Sequence, residues 1–479
     1  MTTQKTVLVV GGGPAGSTAA TLLAQAGMRV RLLERHTFPR YHIGESLTPS
    51  CRTVLGLSGA QQKVEAHAFQ IKRGAEYQWG LDNWIVDWER QFGPEVHTWQ
   101  VDRAQFDQLL LEHAREQGVE VVENATARAV RFDDERPAAV DWIRGGQAGG
   151  GSTASGFDYL IDASGRTGLL SAQHYHNRRQ HEIFKNVATW GYWRIGDTLP
   201  ATPEGGLNCI STPTGWYWVI PLGDRTSVGF VTHRDHFQKR RPEYASVEEM
   251  YLAFVRESGT VRGLVEGAEF LGPARVEQDY SYVADRFCGP GHFLIGDAAA
   301  FLDPLLGTGV HLALYSALLS AACITAVADG QATETEALGF YEYSYRRAYT
   351  RLLALVSGMY DRYRGKEDYF WLAQRLVGEK TRYTQSNEAF GEILTGLVDL
   401  REAANTDSRI LTRQLLDEAE QAQRAATQAS PDRPDFTPLM GMPTDAHTSD
   451  GLSLVTAPRL GLRRTPRHTH EAPDAAVLS

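Results

Sequence analysis

The N-terminal segment Gly11–Gly16 has the sequence Gly-Gly-Gly-Pro-Ala-Gly, and three of its glycines suit the binding of a dinucleotide. Gly11 permits a tight turn, Gly13 lets the backbone approach a pyrophosphate, and Gly16 permits close packing between a helix and a strand. A helix that begins here directs free N–H groups and a partial positive charge at the bound anion. Glu34 follows 21 positions after Gly13, where a carboxylate accepts hydrogen bonds from a ribose diol. A purely structural turn would explain the glycines but not Glu34, so the pattern predicts a dinucleotide site.

Three later segments predict that the dinucleotide is FAD rather than NAD. Arg103 opens a helical stretch, where its cation can meet a phosphate or the flavin edge. Asp162 ends an apolar strand, and Asp297 follows another, where a carboxylate can bind the ribityl hydroxyls. An aspartate at a strand end is more often a turn cap, but the order and placement of all three segments favour FAD. The predicted cofactor residues are Gly11, Gly13, Pro14, Ala15, Gly16, Glu34, Arg35, Arg40, Arg103, Asp162, Gly296 and Asp297.

The elements that must position these residues follow from the apolar pattern. Residues 6–10 form a β-branched apolar run, residues 17–25 are helical, and residues 30–34 form a second strand, which together predict a βαβ unit. Short alternating runs rich in Trp, Tyr, Val and Ile over residues 187–232 predict an antiparallel sheet. Residues 334–426 are almost entirely helical in pattern. The predicted fold class is therefore α/β with an α+β second lobe: a Rossmann-type FAD-binding domain, a second domain with an antiparallel sheet, and a helical C-terminal region.

These elements predict three regions along the chain. Residues 1–330 form one module, with FAD-binding parts at about 1–80, 100–170 and 280–330 and a sheet lobe at about 80–100 and 170–280. Residues 331–426 form a helical region that sets substrate specificity. Residues 427–479 contain seven of the 20 prolines among Ser, Thr, His and Asp, so we expect a flexible or loosely docked tail. Within this tail, Phe436–Met442 is the segment with the composition to dock on the body.

Composition narrows the function classes. The net charge is −10, and the chain has no run of Lys or Arg typical of a nucleic-acid binder. The four cysteines lie far apart without a Cys-x-x-Cys pair, so we expect no metal site, no disulfide framework and a cytoplasmic location. Residues 310–328 are apolar enough to need a membrane check. Because this stretch includes His311, Tyr315 and Ser316, we expect a helix packed inside the protein and no membrane span.

Two sets of motifs carry a resemblance to known proteins. The segments GGGPAG, DASG and GDAA, in this order, resemble the flavoprotein monooxygenase superfamily of the para-hydroxybenzoate hydroxylase type over roughly residues 5–330. This resemblance implies that the Rossmann-type FAD-binding domain is interleaved with an antiparallel-sheet substrate domain. Within it, GESLTP at residues 44–49, Lys72 in QIKRG and the complete WxWxIP motif at residues 216–221 resemble the flavin-dependent halogenases. The similarity is to the branch that acts on phenolic or pyrrolic rings.

The resemblance implies a specific chemistry. Reduced FAD, supplied as FADH2 by a separate flavin reductase, uses dioxygen to oxidise chloride or bromide to hypohalous acid. Backbone N–H groups of Thr308 and Gly309, at a turn that opens a helix, would hold the halide. Gly307 stands where the phenol-type relatives usually have serine, so the backbone donor is kept and the hydroxyl is lost. The acid then reaches Lys72, which either polarises it as an ammonium or forms a chloramine as a neutral amine.

The resemblance also assigns a barrier between the flavin and the substrate. The two tryptophans of WxWxIP alternate along a strand and share one face, which core packing would also explain. A lone lysine is usually a solvated surface charge, and only the family context favours a catalytic role for Lys72. The predicted barrier and tunnel residues are Trp216, Trp218, Ile220, Pro221, Glu45 and Ser46.

The substrate implied by the resemblance is an electron-rich phenolic, tyrosyl or pyrrolyl ring of natural-product biosynthesis. The ring is either free or tethered to a peptidyl or acyl carrier protein, a form indicated by the helix GVHLALYSALLSA. Three alternatives stay open at this point. They are an aromatic hydroxylase that uses NAD(P)H directly, a flavoprotein like the geranylgeranyl reductases, and an FAD-binding protein without turnover.

Overall fold

The computed structural model describes residues 4–145, 151–195, 199–360, 373, 376, 388–404 and 451–464. Its strands, in chain order, are β1 (Thr6–Val10), β2 (Arg29–Leu33), β3 (Gln70–Lys72), β4 (Gly74–Trp79), β5 (Asp82–Asp87), β6 (Thr98–Gln100), β7 (Glu120–Val122), β8 (Ala125–Asp133), β9 (Arg136–Arg144), β10 (Gly151–Ser155), β11 (Tyr159–Asp162), β12 (Arg178–Arg194), β13 (Leu207–Thr212), β14 (Gly215–Pro221), β15 (Thr226–His233), β16 (Glu269–Phe270), β17 (Arg275–Ala284), β18 (Cys288–Gly289), β19 (His292–Leu294), β20 (Ala300–Phe301), β21 (Leu452–Val455) and β22 (Gly461–Arg464).

The α-helices are α1 (Pro14–Gln25), α2 (Pro49–Ser58), α3 (Gln61–Ala66), α4 (Trp88–Phe92), α5 (Arg103–Glu116), α6 (Arg234–Arg240), α7 (Val247–Glu257), α8 (Gly259–Val265), α9 (Gly309–Ala328), α10 (Glu334–Tyr360), α11 (Glu388–Thr395) and α12 (Leu397–Ala404). Single 3-10 turns precede or follow several of them, and residues 169–174 form one π-helical segment.

A six-stranded sheet carries the predicted cofactor loop. Its strand order is β18-β19-β11-β1-β2-β7, and β1 pairs in parallel with both β2 and β11. The parallel β1–α1–β2 unit places the carboxyl ends of β1 and β11 side by side, so the segments after Val10 and Asp162 meet at one edge. This arrangement confirms the predicted Rossmann-type unit, in which ligands bind beyond the carboxyl ends of the strands.

A second, nine-stranded sheet forms the other lobe. Its main path runs β20-β17-β12-β15-β14-β13-β4-β5, and β16 pairs with β12 at one side. The central pairs from β17 to β13 are antiparallel, which confirms the predicted antiparallel-sheet lobe. The sheet begins at Gly74 and includes Ala300–Phe301, so it takes strands from slightly outside the predicted boundaries of this lobe.

The alternation along β14 divides its side chains between two apolar clusters. Trp216, Trp218 and Ile220 belong to the large cluster that continues into the dinucleotide-binding lobe. Tyr217 and Val219 belong to a smaller cluster that includes residues of α7 and α8. The two predicted tryptophans therefore share one face, as the period of two residues requires.

Helix α9 passes through the interior of the protein. Among the described residues it is the single helix long and apolar enough to cross a bilayer, and 89% of its most apolar window is buried within the protein. It packs against α1, α10 and the C-terminal hairpin β21–β22. Burial on several sides accounts for its nearly uniform apolar composition.

The C-terminal hairpin differs from the flexible or loosely docked tail expected there. Leu452, Leu454 and Leu462 are buried, and Arg459 pairs with Asp329 at the end of α9 at 2.8 Å. Apolar alternation over only four residues in each strand was too short to predict this docking. The docking candidate Phe436–Met442 lies outside the described residues, as does much of the predicted helical region between α10 and α11.

Candidate functional site

Two glycines of the loop after β1 are required by the backbone itself. Gly11 has a φ of +109°, and a Cβ at this position would lie 2.1 Å from the carbonyl oxygen of Ala163. A Cβ on Gly16 would lie 1.9 Å from the carbonyl oxygen of Gly11, so α1 can approach β1 only without a side chain there. At Gly13 the nearest atom to a Cβ is Arg40 Nη2 at 3.4 Å. This position is therefore open to a ligand rather than closed by the protein.

Glu34 holds the glycine loop in place. One carboxylate oxygen accepts the backbone N–H of Gly12 at 2.6 Å, and the other accepts that of His36 at 2.8 Å. The residue is only 4% exposed, yet it lies on the wall of the cavity described below. Its carboxylate shapes the loop directly, and the ribose contact stays a prediction.

The two predicted aspartates have different surroundings. Asp162 is fully buried and accepts backbone N–H groups from Ser164 at 3.0 Å and Leu170 at 2.7 Å, which makes it a turn cap. Asp297 lies on the cavity wall, and burial raises the pKa of its carboxyl although Arg166 and Arg103 act in the opposite direction. Of the two, Asp297 has the placement expected of a residue that binds cofactor hydroxyls.

The three predicted arginines also differ in how many hydrogen bonds and ion pairs they make within the protein. Arg103 pairs with Asp107 at 2.7 Å and donates to the carbonyl oxygens of Ile43 and Gly44, so it holds the segment before Glu45. Arg40 lies 3.2 Å from Asp107, and Arg35 donates to Thr167. All three arginines nevertheless line the cavity and make that wall positive.

One cavity of about 560 Å³ joins the glycine loop to the tryptophan strand. The predicted site residues on its wall are Gly11, Gly13, Pro14, Ala15, Glu34, Arg35, Arg40, Glu45, Ser46, Arg103, Trp216, Trp218, Ile220, Gly296, Asp297 and Gly309. Those that are not on its wall are Gly16, Lys72, Asp162, Pro221 and Thr308.

The residues present fit FAD. The cavity volume lies within the range of about 300–1,000 Å³ typical of ligand sites. The open backbone at Gly13 suits a pyrophosphate, and the N-terminus of α1 adds a partial positive charge. The Asp297 carboxyl lies at the same wall, at the carboxyl end of β19. No group of three or more His, Cys, Asp or Glu side chains among the described residues could hold a metal ion.

Trp216, Trp218 and Ile220 form part of the cavity wall, here called the tryptophan wall. The rings of Trp216 and Trp218 lie 6.1 Å apart at 54°, and Trp218 donates to Ser227 at 3.1 Å. A Cβ on Gly229 would lie 2.1 Å from the Trp218 ring, so the facing strand leaves room for this side chain. Trp216 donates to the hydroxyl of Tyr360 at 2.7 Å, which ties the wall to the end of α10.

Lys72 lies immediately behind the cavity wall. Its ammonium donates to the hydroxyl of Ser46 at 2.7 Å and to the carbonyl oxygen of Leu47 at 2.8 Å, and it lies 5.0 Å from the Trp88 ring. The residue is 3% exposed, and burial lowers its pKa to about 7. Because Ser46 lines the cavity, a single hydroxyl separates the amino group from it.

The segment before α9 is a tight turn that ends at the N-terminus of the helix. Gly307 has a φ of +64°, and its Cβ position lies 3.8 Å from the Ser46 hydroxyl oxygen. Thr308 is the buried N-cap of α9 and makes no side-chain cap bond, and Gly309 is the first helical residue. The preceding turn is held by Asp303, which accepts the backbone N–H of Leu305 and the side-chain N–H of Asn186.

Several residues of the site have no sequence motif. Tyr192 donates to Glu45 at 2.7 Å, and its hydroxyl lies 3.0 Å from that of Tyr41. Ser50, His311 and Asp399 form a buried line, with 2.8 Å between each pair of neighbours. Alternation of Trp190 and Tyr192 along β12 was a weak signal for the first group. In the second group, Ser50 and His311 are 261 residues apart, and His311 and Asp399 are 88 residues apart. No local sequence pattern reveals either contact.

Comparisons with known proteins identify the family of the chain. The sequence matches the tryptophan halogenase family over residues 6–98 and 87–406. It is 43% identical over 407 residues to a tryptophan 2-halogenase of Chondromyces crocatus, covering 83% of this chain and 77% of that protein. It is 36% identical over 417 residues to the flavin-dependent halogenase armH3 of Armillaria mellea, covering 83% and 81%.

A solved structure supports the same relationship. The myxobacterial chondrochloren halogenase CndH, described as a variant of the FAD-dependent halogenases, superposes with a TM-score of 0.71 at 32% identity. The match covers 86% of this chain and 97% of that one.

Proposed function

The chain belongs to the tryptophan halogenase family of flavin-dependent halogenases, and from this premise we propose that it halogenates an electron-rich phenolic, tyrosyl or pyrrolyl ring. The protein is an oxidoreductase that uses FADH2, dioxygen and a halide ion. Because the chain belongs to the flavin-dependent halogenases, the three alternatives are set aside. These were the aromatic hydroxylase, the flavoprotein like the geranylgeranyl reductases, and the FAD-binding protein without turnover. Halogenases of this kind generally receive FADH2 from a separate flavin reductase.

The observation that carries the proposal is the position of Lys72. This residue lies just behind the part of the cavity wall that Ser46 forms. FAD, when bound and reduced, supplies with dioxygen the oxidising equivalents that turn a halide into hypohalous acid. We assign its binding to the glycine loop, Glu34 and Asp297. The tryptophan wall keeps an aromatic substrate away from the flavin, so oxygen transfer to the ring is avoided.

The halide site is proposed at the N-terminus of α9. Backbone N–H groups of Thr308 and Gly309 are not bonded within the helix, and the helix dipole favours a negative ion there. Gly307 brings this turn next to Ser46, the residue that also accepts from Lys72. A halide at this turn would therefore lie on the same side of the cavity as the lysine.

Lys72 is proposed to direct the halogen to the ring. With a pKa of about 7, its amino group is present in both forms near neutral pH. The ammonium can donate a hydrogen bond to hypohalous acid and polarise it, whereas the neutral amine can form a haloamine. Either form carries an electrophilic halogen to the substrate side. Because both forms are present near neutral pH, the pKa of Lys72 does not distinguish the two routes.

A second candidate substrate is the indole ring of tryptophan. It is favoured by the 43% identity to a protein named as a tryptophan 2-halogenase. The phenolic and pyrrolyl class rests on GESLTP, Lys72 and WxWxIP, and the carrier-tethered form rests on the resemblance of α9 alone. Four cysteines without disulfide bonds fit the proposed cytoplasmic location, and we keep natural-product biosynthesis as the setting.

The deciding experiment offers several rings to one enzyme preparation. The protein is incubated with FAD, a flavin reductase, NADH and either chloride or bromide, together with tyrosine, a tyrosyl carrier protein, a simple phenol, pyrrole or tryptophan. Mass spectrometry detects a gain of halogen. We expect halogenated phenolic or pyrrolyl product, and product from tryptophan alone would replace our proposal with the second candidate.

Two lysine variants test the mechanism in the same assay. Lys72→Ala is expected to abolish ring halogenation while FAD still binds and halide is still oxidised. Lys63→Ala, which removes an exposed lysine paired with Glu116, is the matched control and should behave as wild type. Substantial halogenated product from Lys72→Ala would remove this lysine from the mechanism.

A further inference from the structure

We propose that Tyr41, Tyr192 and Glu45 form a path that carries protons from solvent to the cofactor cavity during halide oxidation. The proposal rests on the proposed position of FAD in this cavity. It gives Glu45 a role in proton supply, beyond that of a barrier residue, and adds two tyrosines that no motif marks.

The stoichiometry of halide oxidation creates the need for such a path. FADH2 gives up two electrons and the halide gives up two, while dioxygen accepts four. FADH2, dioxygen, halide and one proton become FAD, hypohalous acid and one water. One proton must therefore reach the reactants in the cavity in each turnover, and a positioned acid delivers it faster than diffusing water.

A continuous hydrogen-bonded chain leads from a partly exposed tyrosine to Glu45. Tyr41 is 45% exposed and also borders the cavity, and its hydroxyl lies 3.0 Å from that of Tyr192. Tyr192 donates to one carboxylate oxygen of Glu45 at 2.7 Å. Glu45 is 3% exposed and lines the cavity, and its second carboxylate oxygen is buried and makes no hydrogen bond of regular geometry, although the Ser227 hydroxyl lies close enough to lower the pKa of the carboxyl. This oxygen is the one that can exchange a proton with a reactant.

The hydrogen-bond directions suit inward transfer. The indole N–H of Trp190 donates to the Tyr41 oxygen at 2.8 Å, which leaves the Tyr41 proton free to point at Tyr192. Tyr192 in turn directs its proton at Glu45. When Glu45 releases its own proton into the cavity, each hydroxyl can pass one proton inward and Tyr41 can recover one from water.

Burial has a larger effect on the pKa of Glu45 than any of the neighbouring groups has. Burial raises the pKa of its carboxyl, the hydroxyls of Tyr192 and Ser227 and the Arg225 guanidinium lower it, and Asp102 raises it. Arg225 is itself paired with Asp102, and its guanidinium lies 5.0 Å from the Tyr192 ring centroid. At the solvent end, Arg275 lies 4.0 Å from the Tyr41 ring centroid. A carboxyl that keeps its proton more readily than usual is suited to act as the donor.

The path is tested by the rate of hypohalous acid formation without an aromatic substrate, followed with a chemical trap across pH. We expect Glu45→Gln to lower this rate by about 100-fold, the lower end of what a positioned acid contributes, and to flatten its pH profile. Tyr192→Phe breaks the same chain and should cause a similar loss. Formate added to Glu45→Ala should restore part of the rate, a rescue that a purely structural role would not produce.

Two readouts do not depend on turnover. FAD affinity should be unchanged in Glu45→Gln, and the infrared spectrum of the FAD-free protein should lose a protonated-carboxyl band that titrates above the ordinary range of glutamate. Tyr251→Phe is the matched control, because its hydroxyl donates to the carbonyl oxygen of Val228 in the other apolar cluster. It should oxidise halide at the wild-type rate.

The outcomes separate this path from the proposed function. Wild-type rates and pH profiles in both Glu45→Gln and Tyr192→Phe would overturn the path, as would loss of the rate without rescue together with loss of FAD. A wild-type enzyme that oxidises halide normally but halogenates none of the phenolic or pyrrolyl rings would contradict the proposed substrate class and leave the path supported.

Discussion

Replacing Lys72 by methionine should abolish halogenation and yet stabilise the protein at neutral pH. The lysine is 3% exposed, and burial lowers the pKa of its ammonium from 10.5 to about 7. The folded state therefore binds this proton more weakly than the unfolded chain does. Methionine keeps most of the side-chain volume and removes the charge that burial disfavours.

The structure gives a magnitude for the effect. At about 1.4 kcal/mol for each pKa unit, the lowered pKa of Lys72 amounts to roughly 4–5 kcal/mol of unfolding free energy at pH 7. The variant also leaves the Leu47 carbonyl oxygen without its donor, which costs about 1–3 kcal/mol. We expect Lys72→Met to be more stable than wild type by about 1–4 kcal/mol at pH 7.

The sign of the pH dependence follows from the same pKa values. Wild-type stability should rise from pH 7 to about pH 10.5, because the unfolded state holds the extra proton throughout this window. The advantage of Lys72→Met should shrink over the same window and reverse once the unfolded lysine is neutral too, since only the lost hydrogen bonds then remain.

Chemical denaturation of the FAD-free protein at pH 7 and pH 10 measures both quantities. Lys63→Met, at an exposed position paired with Glu116, controls for general effects of losing a lysine and should show no comparable change with pH. A Lys72→Met protein that is less stable than wild type at pH 7, by an amount that does not change with pH, would refute the low pKa of Lys72.

Three further substitutions test separate parts of the site. Gly13→Val should fold but fail to retain FAD, because its side chain meets only Arg40 within the protein and otherwise enters the cavity, as absorbance of the purified protein would show. Ser46→Ala should lower the pKa of Lys72 by about one further unit, since it removes an acceptor from the ammonium, and move the lysine-dependent limb of the halogenation pH profile to lower pH. Asp399→Asn should cost about 3 kcal/mol of stability in denaturation, because it removes the carboxylate that pairs with both His311 and Arg351 inside the protein.

The parts of the fold that sequence could predict are those with a local period or a local steric requirement. The glycine loop is one, since Gly11 and Gly16 are dictated by contacts within the same strand–turn–helix unit or its immediate neighbour. The shared face of Trp216 and Trp218 is another, because alternation along a strand is independent of what the strand packs against. The antiparallel lobe followed from the same alternation over several strands.

The parts that could not be predicted depend on residues that meet only after folding. Asp162 and Asp297 have the same local signal, a carboxylate at a strand end, yet one is occupied by backbone N–H groups and the other faces the cavity. The hydroxyls of Tyr41 and Tyr192 meet across 151 positions. Their separate sequence contexts suggested neither a partner nor a role, and only the hydrogen bond from Tyr192 to Glu45 does so.

Ser46 is the point at which the separate parts of the site meet. It lines the cofactor cavity, accepts from Lys72 at 2.7 Å and lies against the turn at Gly307 that opens α9. Its neighbour Glu45 faces the same cavity and receives the hydrogen bond from Tyr192. The proposed proton entry, halide binding and halogen transfer would thus converge on two consecutive residues. Arg103, itself held by a buried carboxylate, fixes the backbone just before them.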